Sequence, residues 1–251
     1  MNATIETMLN RRTIRAFTDE PIPQEIVDTL LKVANLSANS NGMSQYSIIE
    51  ITDSQLKERL ADICLQPYVA KAAKLYIFVI DVHRNAKILE EAGLSDENIR
   101  NMNSFVQGTS DGTLAAQSMV IAAQSLGLGA VFLGSILNNV DAVVELLDLP
   151  DLTFPIFGVG LGYPDQSPQL KPKMPLHMLL HENGYQEPIN YHEALEEYDR
   201  EMETYYDLRE GGKRMDSFTL QVERKLISVT PNRSRIGNSI EKMGFRLKRE
   251  D

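Results

Sequence analysis

A short basic segment near the start of the chain holds the side chains best suited to binding an anion. It reads Arg11-Arg12-Thr13-Ile14-Arg15. If the segment is extended, Arg11, Thr13 and Arg15 point to one face, because side chains alternate along a strand. Two guanidinium groups and a hydroxyl on one face suit a phosphate or another polyoxygen anion. The spacing alone is equally typical of a helix end followed by a basic turn.

Two further basic clusters stand out because the chain is acidic, with a formal net charge of −10. Lys171-Pro172-Lys173 follows a predicted turn at 163–165, and its proline stiffens the backbone between the two lysines. The other cluster contains Arg209, Lys213 and Arg214. Each of these two clusters, taken singly, is more typical of solvated surface charge. The overall acidity argues against a nucleic-acid-binding protein and against attachment to an anionic membrane.

Other catalytic and metal-binding patterns do not fit the residues around them. His177 and His181 have the spacing of zinc ligands on a helix, but Met178 stands where a metalloprotease needs glutamate. The Gly-Leu-Gly at 127–129 follows a predicted helix and precedes a strand, the reverse of a dinucleotide-binding fingerprint. Cys64 lies in an apolar helical stretch and is predicted to be a small buried residue. We therefore expect no metal site and no dedicated acid or base.

These residues must be positioned by a fold in which helices and strands alternate. Apolar residues at helical spacing predict helices at 23–38, 54–64 and 139–148. Runs rich in β-branched and aromatic residues predict four strands, at 46–52, 75–81, 130–134 and 154–162. The alternation predicts an α/β or α+β fold with one central sheet.

The segment 113–127 is predicted to be a central helix that is apolar on nearly every side. Asp111 is its expected N-cap and Gly127 its expected C-cap. Such a helix must be buried all round, so we expect it to pack against a second subunit. Residues 183–251 are mostly charged and helical, with no strong strand and little core of their own. We expect them to wrap the main body or a partner subunit.

The remaining composition points to a cytoplasmic protein. No run of 18 apolar residues is present, so we expect no transmembrane helix. The first residues lack the apolar core of a secretory signal. The single cysteine cannot form an intrachain disulfide, which suits a reducing compartment.

From RRTIRAFTDEPIP onward the chain strongly resembles the nitroreductase family, in particular its NADPH-dependent branch. Further similar segments follow in order: SIIEITD, QPYVAKAAK, AAQSLGLGAVFLGSILNN, FPIFGVGLGYPDQSPQLKPKMP, HENGYQ and YYDLREGGKRMDSF. The resemblance implies an α+β nitroreductase-like fold, with a mostly antiparallel sheet wrapped by helices, in an intertwined homodimer. It implies an FMN-binding core at 1–182 and a helical extension at 183–251 that wraps the dimer and carries an NADPH loop.

The resemblance also implies a role for each matching residue. Arg11, Arg12 and Thr13 would hold the FMN phosphate and ribityl chain, and Arg15 would lie near the pyrimidine edge of the flavin and stabilise its reduced form. The other flavin contacts would be a basic pair, a loop contributed across the dimer, a turn and a strand end: Lys171 and Lys173; Asn39, Ser40 and Asn41; Gln66 and Tyr68; Phe132, Leu133, Gly134 and Ser135. Arg209, Lys213 and Arg214 would bind the 2′-phosphate of NADPH, with Arg233 at the mouth of the substrate channel.

Three positions depart from the family pattern. Arg11 stands where relatives often have histidine, yet it still suits a phosphate. Gly42 stands where relatives often have a large residue, so the pocket would be more open. Leu137 stands where some relatives have arginine, which removes a contact to NADPH or to an anionic acceptor.

The resemblance implies an FMN-dependent oxidoreductase that oxidises NADPH and reduces nitroaromatics, quinones or free flavins by ping-pong hydride transfer. One alternative is an enzyme of the same fold with other flavin chemistry, such as reductive dehalogenation or flavin breakdown; the basic loop 209–214 argues against it. The other is a flavin-binding sensor or carrier without turnover, and no added DNA-binding or signalling segment is visible in the sequence.

Overall fold

The computed structural model describes residues 1–207, 212–227 and 231–247, and its contacts divide the chain into two compact units. The first unit comprises Met1–Gln166 together with Thr230–Asp251, and the second comprises Ser167–Val229. This division differs from the predicted boundary after residue 182. The described part of the C-terminal segment belongs to the first unit because its buried side chains join the core there.

The first unit is built on one antiparallel sheet of four strands. The strands are β1 (Tyr46–Glu50), β2 (Lys74–Asp81), β3 (Gly129–Leu133) and β4 (Thr153–Gly162), in the order β1-β2-β4-β3. Every neighbouring pair is antiparallel. All four predicted strands are confirmed, and so is the α+β class with an antiparallel sheet.

Helices cover both faces of this sheet. Their bounds are α1 Ala3–Leu9, α2 Gln24–Asn35, α3 Ser54–Cys64, α4 His83–Glu91, α5 Met102–Ser125 and α6 Val140–Leu146, with α10 at Ile236–Lys242. Tyr76 and Phe78 of β2 are buried against α2 and α5, whereas Leu75 and Ile77 are buried against α3 and α6. The two faces separate because successive side chains of a strand point to opposite sides.

The central helix is longer than predicted. α5 begins after Asn101, whose side chain accepts a hydrogen bond from the Ser104 amide, so the predicted N-cap at Asp111 is wrong. The first half of α5 is polar, and apolar periodicity therefore does not reveal it. The helix stops as predicted before Gly127, which has a φ of +81°.

The burial of α5 within one chain is also less complete than predicted. Ala115, Met119 and Val120 are fully buried, but Leu114 is 49% exposed. At Gly108 an added Cβ would lie 2.6 Å from the Gln45 carbonyl oxygen, so glycine allows the helix to approach the sheet closely. One face of α5 is thus fixed to the sheet, and the face that carries Leu114 is open in the single chain.

The second unit is small but has its own core. It contains α7 (Tyr191–Ala194), α8 (Glu196–Met202), α9 (Phe218–Leu226) and a hairpin of β5 (Tyr206–Asp207) and β6 (Lys213–Arg214). Its core holds five buried apolar side chains: Leu195, Tyr198, Met202, Tyr205 and Met215. The expectation that this region has little core of its own is therefore wrong, because aromatic and methionine side chains dispersed among its charges converge in three dimensions. In neither unit does a described helix combine the length and the apolar character that a bilayer span requires.

Candidate functional site

The basic segment is extended and lies beside β3. Thr13 forms a parallel bridge with Ala130, and the Ile14 amide donates a hydrogen bond to the Ala130 carbonyl at 3.0 Å. Ile14 is buried, while Arg11, Thr13 and Arg15 on the alternate positions are half-buried. Of the two interpretations that the spacing left open, the extended one is confirmed.

The arginines of this segment have unsatisfied donors. Arg12 donates from Nη1 to the Asn10 carbonyl at 2.9 Å, but Arg12 Nε and Arg15 Nε are buried without a hydrogen-bond partner. No carboxylate among the described residues pairs with Arg11, Arg12 or Arg15. Burial, followed by the charge of Arg15, lowers the pKa of Arg11. Buried charged donors are normally paired, so this concentration of positive charge indicates a binding site for an anion.

A cavity of about 260 Å³ lies against Arg11 and Arg12. Ile14 also lines it, and so do Gln124 and Gly127 near the end of α5. Pockets for small ligands usually have volumes of roughly 300–1,000 Å³. The space within one chain is thus slightly small for a whole cofactor, as expected of a site that needs a further wall.

The predicted turn and the predicted strand end form a single hydrogen-bonded cluster. Gln66 Oε1 accepts from Tyr68 Oη at 2.8 Å and from Ser135 Oγ at 2.8 Å. Ser135 comes two residues after the end of β3, and the basic segment runs parallel to that strand. The structure therefore brings the predicted turn at Gln66 and the predicted strand end at Ser135 together.

The loop at 39–41 is held by a residue that sequence reasoning misassigned. The Ser40 amide and Oγ donate to Asp111 Oδ1 at 2.7 and 2.8 Å, and the Gln45 amide donates to Oδ2 at 3.1 Å. Asp111 is almost completely buried in the middle of α5. A carboxylate at the start of an otherwise apolar run is the signal that could have identified it. Asn41 and Gly42 both have positive φ, so this tight loop suits asparagine and glycine.

One chain does not bring this loop to the arginine segment. Asp111, which holds the loop, and Gln124, which lines the arginine cavity, are thirteen residues apart on α5 (124 − 111). At 1.5 Å per residue the two positions are separated by about 20 Å along the helix axis. Ser40 and Arg12 of the same chain therefore lie too far apart to contact one small group.

Replacing Asp111 with alanine is expected to destabilise the protein by roughly 3 kcal/mol, because three buried donors lose their acceptor. Urea unfolding followed by circular dichroism measures the change in the free energy of unfolding. Asp62→Ala removes a carboxylate from the exposed face of α3 and serves as the control, with an expected change below about 0.5 kcal/mol. Equal midpoints for the two variants would mean that Asp111 does not hold the loop.

The predicted phosphate lysines and the predicted NADPH loop belong to the second unit. Lys171 is half-buried and Lys173 is exposed. Lys213 and Arg214 lie on the exposed strand β6, where Arg214 Nη2 contacts Glu203 Oε2 at 3.2 Å. Arg209 lies outside the described residues. Strand β6 thus displays two exposed cations.

Arg233 lies in the first unit, at the end of β3. Its Nη2 donates to the Gly134 carbonyl at 2.6 Å, and its Nε donates to Asn138 Oδ1 at 3.0 Å. The sequence grouped Arg233 with the NADPH residues, whereas Lys213 and Arg214 belong to the other unit. No sequence pattern pointed to the contact with Gly134, because the two residues are far apart in the chain.

Two other positions have structural explanations. Cys64 is buried as predicted, and burial raises the pKa of its thiol. Leu137 is partly buried and packs against two core clusters, so an apolar side chain has a packing role there. Gly42, by contrast, has open space around its Cβ position.

Comparison with known proteins identifies the family. The model of the nitroreductase family matches residues 8–163, and that of the nitroreductase family C-terminal domain matches residues 171–248. The chain belongs to the nitroreductase family. The resemblance seen in the sequence is therefore confirmed.

Similar members of the nitroreductase family cover nearly the whole chain. An FMN reductase (NADPH) of Bacillus subtilis (strain 168) is 38% identical over 225 residues, which are 88% of this chain and 90% of the relative. An oxygen-insensitive NADPH nitroreductase of Salmonella typhimurium is 36% identical over 248 residues, 98% of this chain and 99% of the relative. The solved structure of an NADPH:FMN oxidoreductase from Vibrio harveyi complexed with NAD+ has a TM-score of 0.87 and 34% identity, covering 97% of this chain and 99% of its own.

Proposed function

We propose that the protein is an FMN-dependent NADPH oxidoreductase that reduces nitroaromatics, quinones or free flavins. The observation that carries the proposal is the pair of buried, unpartnered guanidinium nitrogens, Arg12 Nε and Arg15 Nε, together with the cavity that Arg11 and Arg12 line. An anionic cofactor would satisfy these donors. The names of three relatives, an FMN reductase (NADPH), an NADPH nitroreductase and an NADPH-flavin oxidoreductase, agree with this chemistry.

The residues at this site fit FMN by their donor chemistry. Arg11, Arg12 and Thr13 would hold the phosphate and ribityl chain. Arg15 would stabilise the negative charge that the ring gains on reduction. When bound, FMN accepts hydride from NADPH and passes it to an acceptor.

The remaining ring contacts would come from both sides of a dimer interface. Gln66, Tyr68 and the strand end at 132–135 would border the ring from the same chain. The loop at 39–41 would reach the flavin of a partner subunit, because it lies about 20 Å along α5 from the arginines of its own chain. Each active site would then need two copies of the chain.

A homodimer also accounts for apolar surface that one chain leaves exposed. Leu114 on α5 is exposed, and so are five large apolar side chains of the second unit: Leu176, Leu179, Leu180, Tyr185 and Ile189. A segment with as many exposed apolar side chains as 176–189 is usually covered by a partner. Analytical ultracentrifugation at micromolar concentration tests the point, since a stable FMN-bound monomer would contradict it. The single, buried cysteine suits the cytoplasm, where we place the enzyme.

The activity is tested by a panel of acceptors at one fixed NADPH concentration. We expect the yellow, purified protein to oxidise NADPH with a nitrofuran, with menadione and with free FMN. Varying NADPH at several fixed concentrations of one acceptor should then give the parallel double-reciprocal lines that are typical of ping-pong turnover. Broad acceptance is expected because an open flavin face selects by stacking and shape. A yellow protein that oxidises no NADPH with any acceptor would instead be a flavin carrier, and the proposal would be wrong.

A further inference from the structure

A charged hydrogen bond joins the C-terminal part of the first unit to the end of the central strand β3. Arg233 Nη2 donates to the Gly134 carbonyl oxygen at 2.6 Å, at the short end of the range for a charged donor. Gly134 directly follows β3, and an added Cβ at Gly134 would have no atom within 4 Å. The backbone of Gly134 is thus held by a cation at its carbonyl oxygen, and the space on its Cβ side is empty.

The guanidinium group is fixed in its plane by a second acceptor. Arg233 Nε donates to Asn138 Oδ1 at 3.0 Å. The amide of Asn138 can face only one way, because its Nδ2 donates to the carbonyl oxygens of Ile63 at 3.4 Å and Cys64 at 3.2 Å. Its oxygen must therefore face Arg233. The carbonyl oxygens at the end of α3 thus orient Asn138, and Asn138 in turn positions the charged group of Arg233.

The peptide bond that Arg233 contacts is also held from its other end. Ser135 contributes the N–H of the peptide whose oxygen belongs to Gly134, and Ser135 Oγ donates to Gln66 Oε1 at 2.8 Å. A cation on the carbonyl oxygen of a peptide polarises the whole group and strengthens its N–H as a donor. The Gly134–Ser135 peptide is thus both oriented and polarised.

We propose that Arg233 is a positioning residue that acts on the flavin through the Gly134–Ser135 peptide and raises the stability of the reduced flavin. The proposal rests on the proposed function, which puts the strand end at 132–135 against the flavin ring. Electron density on the ring rises on reduction, so a stronger N–H donor and a nearby cation stabilise the reduced form more than the oxidised form. Arg233 would therefore tune the reduction potential without being a ligand of NADPH.

The test compares flavin reduction potentials in the FMN-bound protein. Arg233→Met is expected to lower the ratio of reduced-flavin to oxidised-flavin affinity about tenfold, which is a midpoint potential about 30 mV lower for a two-electron couple. Arg233→Lys keeps a charged donor and should recover at least half of that shift. Asn138→Ala should give a smaller shift in the same direction, and adding it to Arg233→Met should change little, because both act through one contact.

Arg235→Met is the matched control. It removes the same charge two residues away, from an exposed side chain that makes no described contact with Gly134, and the potential should match the parent. An equal shift in Arg233→Met and Arg235→Met would show a general charge effect and overturn the proposal. A raised KM for NADPH with an unchanged potential in Arg233→Met would overturn it too, because Arg233 would then be a ligand contact. A parent protein that binds no FMN would refute the proposed function instead.

Discussion

Replacing both Arg12 and Arg15 with alanine is expected to give a folded protein that has lost its FMN. Each side chain has a buried Nε without a partner, so each is expected to donate a charged hydrogen bond to the cofactor. Such a bond contributes roughly 1.5–3 kcal/mol, and losing two should weaken FMN binding by about 10²- to 10⁴-fold. Flavin released on desalting, and titration of the apoprotein with FMN followed by flavin fluorescence, measure the loss.

The stability of the flavin-free proteins gives a second, independent result. A buried guanidinium group without an anion destabilises the fold, so the apo form of the double variant should be at least as stable as the apo parent. The FMN-bound parent should be more stable than both, because a ligand that binds only the folded state raises its stability. Thermal unfolding with and without added FMN separates the three cases.

The matched control removes two exposed arginines from the second unit. Arg200 and Arg224 each form an exposed ion pair, with Glu196 and Asp216 respectively. Alanine at both positions makes the same change in net charge, and it should leave FMN binding unchanged. If Arg12→Ala/Arg15→Ala remains as yellow as this control, then the basic segment is not the flavin site.

Replacing Lys213 and Arg214 with alanine is expected to reduce kcat/KM for NADPH by about ten- to a hundredfold for each charged contact that is lost. NADPH differs from NADH by a 2′-phosphate, so the preference requires positive charge placed against that group. The hairpin that carries both cations is exposed. NADH should be used almost equally well by parent and variant, because NADH lacks the phosphate.

The contact between Arg214 and Glu203 refines this prediction. Arg214 must leave Glu203 to reach a phosphate, and an exposed ion pair is worth only about 0–1 kcal/mol. The exchange is therefore favourable, and Glu203→Gln should raise the preference for NADPH by up to about fivefold, as the competing carboxylate is removed. High salt should reduce the preference in the parent, since exposed charges are screened.

Arg224→Ala/Lys225→Ala is the control for the hairpin variant. It removes an adjacent arginine and lysine from the end of α9, with the same change in charge. An equal fall in kcat/KM for both cofactors in Lys213→Ala/Arg214→Ala, or no fall for either, would show that the hairpin does not bind the 2′-phosphate. The same holds if the control variant loses as much NADPH preference as the hairpin variant.

Local sequence patterns were sufficient to predict an element where one type of residue repeats at a regular spacing. The strands of the sheet are rich in β-branched and aromatic residues, because the side chains of β2, β3 and β4 are mostly buried. α3 occupies Ser54–Cys64, the predicted range, since Asp53 caps its first turn and its apolar residues recur at helical spacing. The extended form of the basic segment follows from the same alternation, although spacing alone left a turn equally open.

Patterns failed where the deciding contact joins distant parts of the chain. Asp111 looks like an N-cap because the apolar run starts just after it, yet its carboxylate accepts hydrogen bonds from Ser40 and Gln45. The second unit looks like a charged tail, yet tyrosine and methionine side chains from separate helices and turns form its core. In both cases the structure depends on contacts between separate segments, and the periodicity of residues within one segment does not reveal such contacts.

The sequence by itself determined the alternation of helices and strands and the order in which the basic and strand segments occur, because each depends on residue types at neighbouring positions. Its resemblance to the nitroreductase family implied the antiparallel α+β class. Only the tertiary structure decided which of these segments meet. It placed Thr13 beside β3, joined Gln66 to Ser135, and brought Arg233 onto the Gly134 carbonyl. The physical reason is that a buried donor must find an acceptor wherever the fold supplies one, and the partner of Arg233 is nearly a hundred residues away in the chain.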